Sequence, residues 1–468
     1  MVEAIANSIE DKLIDGLSFK LNPGASYVVD RRSVTYHPQG SNIYMPGAGT
    51  KLIRILLTGD NWLDPSTFRV QFDLNNLESA AGKELRTISG PWSFFRRMRV
   101  LCAGQLVEDI GDYNRIHEMM HTLIARESRE NDAAEAFGHY FDTHEWVTGQ
   151  VPAGKYNGIP EGSSQSVLFK PLSGVLMQSK MLPLRYGPIT IELELVDDAW
   201  EPVLSGSSSL DLPKNANVGD NALAESTSLS VNWSISNVQV KCDVCTLDNA
   251  LDNSYAQHLL SGKSLPISYS TFVSQMQTIA GQDSPVINVS RALTRLKSVF
   301  VTLNKNMTSF NRNNYMGRKN WNDFFSPMWQ SNDHGNYTHD SAGEFEFQLQ
   351  IGSKLFPEYP IRSHNEAYYQ LKKTLGVQSS AVHNFDLKPA EYRDNKLIIG
   401  TDCEKVLDAG FTGINTRAGD LMTVKLKYAN SGSADGNGVF PRLADRLHIV
   451  LHSDQILEIR DSGCAVFD

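Results

Sequence analysis

The sequence predicts an all-β protein made of two tandem antiparallel β-sandwiches, and three observations lead there. Apolar and polar residues alternate with period two in both halves of the chain. The 468 residues exceed the ~250–300 at which a single hydrophobic core stops growing, so two cores of roughly half the chain each are expected. The same order of strand, glycine turn and helix also occurs twice.

Composition sets the frame for these elements. The chain carries 43 Lys+Arg against 53 Asp+Glu, a net charge of −10. That balance argues against a generic nucleic-acid binder, whose cations cluster on one face. No window approaches the ~18 consecutive apolar residues of a membrane span, and the N-terminus lacks a basic stretch followed by an apolar one. The expectation is a chain neither membrane-inserted nor conventionally secreted. Five cysteines are an odd number and too few for a disulfide scaffold, so a reducing compartment is the default. The sequons at Asn232, Asn288, Asn306 and Asn336 then read as chance.

In chain order, Ile5, Ile9, Leu13 and Leu17 stand four apart with Glu3, Glu10, Asp11 and Asp15 on other faces. This is an acidic amphipathic helix, packed on its own domain or docked as an arm on a neighbouring subunit. Residues 1–20 are therefore set apart as an arm, with a first sandwich over 21–250 and a second over 251–468. In the first, Phe68, Val70, Phe72 and Leu74 alternate with Arg69, Gln71 and Asp73, and Ile189, Ile191, Leu193 and Leu195 alternate with polar residues. The pattern returns at Val238, Val240, Cys242 and Val244. In the second half it recurs at 299–303, 345–351 and 422–428. Long polar stretches at 150–166, 203–230, 305–343 and 429–438 read as surface loops and candidate contact surfaces.

Two internal segments read as helix. One follows Asp112 as N-cap, with Tyr113, Ile116, Met120 and Ile124 on one face. The other follows Ser363, which forms a capping box with Glu366 and precedes Ala367, Tyr368, Leu371 and Leu375. Gly104 to Glu118 and Gly352 to Glu366 are both fourteen residues, which suggests an internal duplication. Many short strands, large loops and one short helix per half point to sandwich or jelly-roll architecture. A propeller would show a ~40-residue period, and none is present.

The sharpest chemical motif is His117-Glu118-Met119-Met120-His121, an H-E-x-x-H pattern. On a helix the two histidines share a face and can hold one zinc, with the glutamate as general base. Against this, Ile124 and Glu127 stand where a metzincin needs Gly and a third His, and the second helix offers Asn365 and Gln370 around Glu366. Glu135 and Glu145 remain as candidate third ligands. Cys242 and Cys245 form a lone C-x-x-C; an offset of three in a strand sends them to opposite faces, so Cys242 reads as core. Arg31, Arg32, Arg96, Arg97 and Arg99 are the compact basic clusters and read as a solvated strand face or an ion-paired subunit contact, with phosphate contact as the alternative. Phosphate-loop, dinucleotide and nucleophile-elbow motifs are missing. The reading assigns no catalytic, cofactor-binding or metal residue, and no enzyme activity.

Four segments carry a family resemblance: SGPWSFFRRMRVLCAGQLVEDIGDYNRIHEMMHTL (89–123), LPLRYGPITIELELV (182–196), SNVQVKCDVCTLDNALDNSYAQHLLSGKSLPI (236–267) and FQLQIGSKLFPEYPI (347–361). They resemble capsid proteins of viruses and virus-like elements of protists and marine animals. The overall plan is similar to the double jelly-roll major capsid proteins of the adenovirus, virophage, polinton-like and large DNA virus lineage. The resemblance implies two jelly rolls side by side, a homotrimer forming a pseudo-hexagonal capsomer, and capsomers tiling an icosahedral shell. It further implies a penton or minor capsid protein as partner, a virion location after synthesis in host cytoplasm or nucleus, and a structural role for the His117–His121 helix. The loop 305–343 would be the large outer tower of the second half. Residues 1–20 hold two Lys and four acids, so this arm is not expected to neutralise a genome; a shell lining a membrane, or one leaving condensation to other proteins, fits better. The competing readings are a zinc hydrolase using His117, Glu118 and His121, and a carbohydrate-binding sandwich presenting Trp321, Trp329 and Tyr337.

Overall fold

A computed structural model describes residues 27–47, 50–137, 158–203, 230–279, 284–304, 345–377, 396–406, 410–417, 421–428 and 444–468, with 282, 324, 326, 329–331, 337–339, 387 and 392. The helix expected over 2–17, most of the long loops, Glu145, Trp321, Asn306 and Asn336 lie outside the described residues.

The first half runs β1 (Val28–Tyr36), β2 (Ile43–Tyr44), β3 (Leu52–Leu57), β4 (Trp62–Asn76), β5 (Phe95–Cys102) and β6 (Gln105–Gly111). Helices α1 (Tyr113–Thr122) and α2 (Arg126–Glu135) follow, then β7 (Ser164–Phe169), α3 (Gly174–Met177), β8 (Leu182–Pro183), β9 (Ile189–Leu195) and β10 (Trp233–Leu247). Helix α4 (Asn249–Leu260) leads to the second half. There β11 (Leu265–Thr278), β12 (Val286–Val289), β13 (Leu296–Asn304), β14 (Trp329–Ser331), β15 (Tyr337–His339), β16 (Phe345–Ile351) and β17 (Lys354–Ile361) precede α5 (His364–Thr374). Strands β18 (Ile398–Asp402), β19 (Met422–Tyr428), β20 (Arg446–Arg460) and β21 (Gly463–Phe467) complete it.

Pairing follows the alternation read from sequence. In β4, Phe68, Val70, Phe72 and Leu74 are fully buried. Burial of each such side chain contributes about 1.5–3 kcal/mol. Val70 faces Val240 and Leu74 faces Ile235 across the antiparallel β4–β10 pair, which places the two apolar sets on one side of the sheet.

The sheets have orders β1-β10-β4-β7 and β3-β9-β5-β6 in the first half, and β11-β20-β13-β18 and β12-β19-β16-β17 in the second. The eight principal strands of each half, counted in chain order, therefore fall into a 1-8-3-6 sheet and a 2-7-4-5 sheet. This is the eight-stranded jelly roll with its two interlocked Greek keys, formed twice by one permutation. The minor strands β2, β8 and β21 add to β10, β4 and β20 respectively, and β14 pairs β15. Buried apolar side chains form one continuous cluster through both sandwiches.

The repeated glycine turns are present: Gly104 links β5 to β6 at φ 83° and Gly352 links β16 to β17 at φ 59°. Both take the left-handed conformation that a β-carbon disfavours. The equal fourteen-residue spacing, however, does not bring equivalent glutamates together. Glu118 is the sixth residue of α1 and Glu366 the third of α5, because β17 starts one residue later after its glycine than β6 does, runs one residue longer and is joined to its helix by one residue more. The described helices also exceed one per half. In α4, Asp248 caps by accepting from the Ala250 amide at 3.1 Å, yet only Leu259 is buried, so no apolar stripe announces it.

Candidate functional site

The His117–His121 helix begins where expected, after Asp112, but not by side-chain capping. Asp112 sits at φ 47° without a cap bond. Its carboxylate instead lies 3.3 Å from the Ser274 hydroxyl and 3.6 Å from His448 Nε2, both on the second sandwich.

The three motif side chains converge on one indole. The His117 ring stacks on Trp92 at 4.2 Å and 14°, while His121 packs against it at 4.4 Å and 50°. The Glu118 carboxylate accepts from Trp92 Nε1 at 2.9 Å and also from the Ser89 hydroxyl. His117 Nε2 lies 3.2 Å from the Lys170 carbonyl, the bond that orients its ring. Burial, followed by the neighbouring His121, pulls His117 down to about 3. Burial, with Arg129 and Lys396 nearby, does the same to His121. Both imidazoles are neutral at pH 7.

This donor set is engaged with Trp92 rather than arranged around a common point. Among the described residues no three His, Cys, Asp or Glu side chains stand together as a metal site. Glu135 gives its carboxylate to Arg69 Nε at 2.9 Å. Cys242 and Cys245 are both buried thiols on β10, and burial pushes Cys242 up to about 12. Four arginines of the basic clusters, Arg31, Arg96, Arg97 and Arg99, are ion-paired. Arg31 reaches Asp64 and Asp243 at 2.9 Å each, Arg97 grips Asp109 at 2.6 and 2.7 Å, and Arg99 meets Glu192 at 2.8 Å. Arg96 pairs with Asp197.

Among the described residues, a polar arrangement lies along the seam between the two sandwiches. Glu108 of β6, fully buried, accepts from the Ser173 hydroxyl and from the Gly174 amide at 2.8 Å, at the start of α3. Burial raises its pKa despite these donors. Gly174 in turn rests on β11: a β-carbon there would run into the Ser270 carbonyl oxygen. The Tyr269 hydroxyl lies 3.0 Å from the Val107 carbonyl and 2.8 Å from Gln455 Oε1, while Ser274 donates to the Gly111 carbonyl at 2.9 Å. Phe324 closes the rim, with Arg115 of α1 at 5.4 Å and Lys396 at 5.8 Å from its ring. His448, fully buried beside Asp112, is held below the usual histidine range by that burial. None of these contacts was signalled by spacing, since each joins residues far apart in sequence.

No protein-family model matches the sequence, and no curated protein matches it. Solved structures do. PBCV-1 VP54, fitted into a reconstruction of the virophage Sputnik, is similar over 96% of this chain and 100% of its own, with TM-score 0.59 and 10% identity. The PBCV-1 virus capsid is similar over 96% and 100%, with TM-score 0.57 and 14% identity. The Faustovirus major capsid protein is similar over 96% and 94%, with TM-score 0.53 and 9% identity. At such identities it is the path of the backbone that is shared, and the chain has the double jelly-roll fold of these viral capsid proteins.

Proposed function

We propose that this chain is a viral major capsid protein, a structural protein whose function is self-association into an icosahedral shell. One observation carries the reading: a duplicated eight-strand jelly-roll order in a chain that is similar to the capsid proteins of PBCV-1 and Faustovirus over 96% of its length. Three copies would close into a pseudo-hexagonal capsomer through a repeated heterologous contact, and capsomers would tile the shell. The location is the virion, after synthesis in the host cytoplasm or nucleus. A penton or minor capsid protein and an underlying membrane are the further partners of this reading; sequence-specific nucleic-acid binding is not part of it.

The chain divides as an arm at 1–20, a first jelly roll over 21–250 and a second over 251–468. Support comes from the strands themselves, since β1 to β10 fall within 28–247 and β11 to β21 within 265–467. The mechanism is geometric and assigns no catalytic residue, cofactor or metal. The hydrolase alternative loses its footing because His117, Glu118 and His121 all engage Trp92. The carbohydrate-binding alternative finds no support among the similar structures.

Native mass spectrometry, light scattering and electron microscopy of the purified chain test the proposal. Trimers or shells are the expected result. A chain that stays monomeric at micromolar concentration in every buffer overturns it.

A further inference from the structure

The seam also brings together two of the five cysteines. Cys102 ends β5 of the first jelly roll and Cys464 lies in β21 of the second, 362 positions apart in sequence. Their sulfurs are 2.8 Å from each other, inside van der Waals contact, and both are thiols. Cys102 is 2% exposed, whereas Cys464 is only half-buried. Gly187 covers the pair: a β-carbon there would stand 2.7 Å from the Cys102 sulfur and 3.5 Å from that of Cys464. The side-chain-free backbone at that turn leaves room for the two sulfurs to face each other.

We propose that Cys102 and Cys464 form a redox-controlled covalent staple between the two jelly rolls, open in a reducing compartment and closed by a low-molecular-weight disulfide outside it. The Cys464 thiolate attacks one sulfur of the reagent disulfide, which breaks, and the other sulfur leaves and takes a proton. The Cys102 thiolate then attacks the Cys464 sulfur in the mixed disulfide and expels the second reagent thiol. The protein dithiol is oxidised by two electrons, the reagent is reduced to two thiols, and the two protein protons end on those thiols. The hydrogen bond from Cys102 holds the Cys464 thiol below its usual range, which favours it as the first nucleophile. Cys242, Cys245 and Cys403 are buried and have no comparable entry.

Formation of this bond is independent of the capsid reading; only its timing, after a shell leaves the cell, rests on it. The test is incubation of the folded full-length chain with oxidised glutathione, followed by denaturation, alkylation and tryptic mass spectrometry. Cys102 and Cys464 fall in separate tryptic peptides, 100–115 and 461–468, so the staple appears as their covalent adduct, two hydrogens lighter than the sum. Two of five thiols should become unavailable to the alkylating agent. Tm should rise by a few degrees on oxidation in the parent chain and not in Cys464→Ser or Cys102→Ser. A stable glutathione adduct on Cys464 with Cys102 still alkylated overturns the proposal, as does a folded chain whose thiols all remain free. Failure to form trimers, with the adduct present, would count against the capsid reading alone.

Discussion

Trp92 is held by one turn of helix α1, and that arrangement makes the side chains of the H-E-x-x-H motif testable individually. Glu118→Ala leaves the Trp92 N–H and the Ser89 hydroxyl buried without an acceptor, which should cost about 1–3 kcal/mol. Glu118→Gln keeps an acceptor oxygen and should lose less. Thermal melts of both variants, run with and without a chelator, check this: a zinc site would respond to the chelator, and a Trp92 anchor would not. The histidines supply a second prediction. His117 and His121 are shifted to about 3 and His452 to about 4, chiefly by burial, against an ordinary value of 6.5. Between these values the unfolded state binds more protons than the folded one. Each group's full contribution is therefore present above about pH 6.5 and is lost as pH falls towards the folded values, at up to about 1.4 kcal/mol per pH unit for each histidine. Urea melts at pH 7, 6 and 5 should show midpoints falling in that order, by less than the three histidines alone would give, because burial raises Glu108 and Glu201 and these act in the opposite sense. Midpoints that rise over the series would mean the rings accept protons in the folded chain.

Helix α5 shows how much of an element can be read from local chemistry. Ser363 accepts from the Glu366 amide at 3.1 Å as its spacing suggests, but the Glu366 carboxylate returns to the Arg362 amide at 2.9 Å instead of to Ser363. The cap is thus a box displaced by one residue. Ser363→Ala should cost about 1 kcal/mol, visible as a lowered midpoint in denaturant melts. Strands were legible because half-buried sheets write their two faces into alternate residues, as at Phe68, Val70, Phe72 and Leu74. Helices α2 and α4 were not, because α4 buries Leu259 alone and α2 is largely charged. The seat of Glu118 was illegible for a different reason. Its partners Ser89 and Trp92 approach from another element, so the motif's spacing is the same whether it faces a metal or an indole.

At the scale of the whole molecule, periodicity and length led to two sandwiches, whereas the 1-8-3-6 and 2-7-4-5 strand orders depend on pairings such as β1 with β10 that lie some two hundred residues apart. Local pattern carries no record of such closures, and the family resemblance was the clue to them. The two halves share that order but not their seam surfaces. The first offers Gly174, Asp112 and Arg115, and the second answers with Ser270, His448 and Phe324. The seam therefore joins two unlike surfaces, a first half to a second. Helix α4 then decides where such a partner comes from. Its twelve residues span about 18 Å, a short tether that holds the second half at an effective concentration in the millimolar range beside the first. A neighbouring chain at micromolar concentration competes poorly with a half already in reach. The seam should accordingly close within each chain before chains meet, and association would begin from a finished building block.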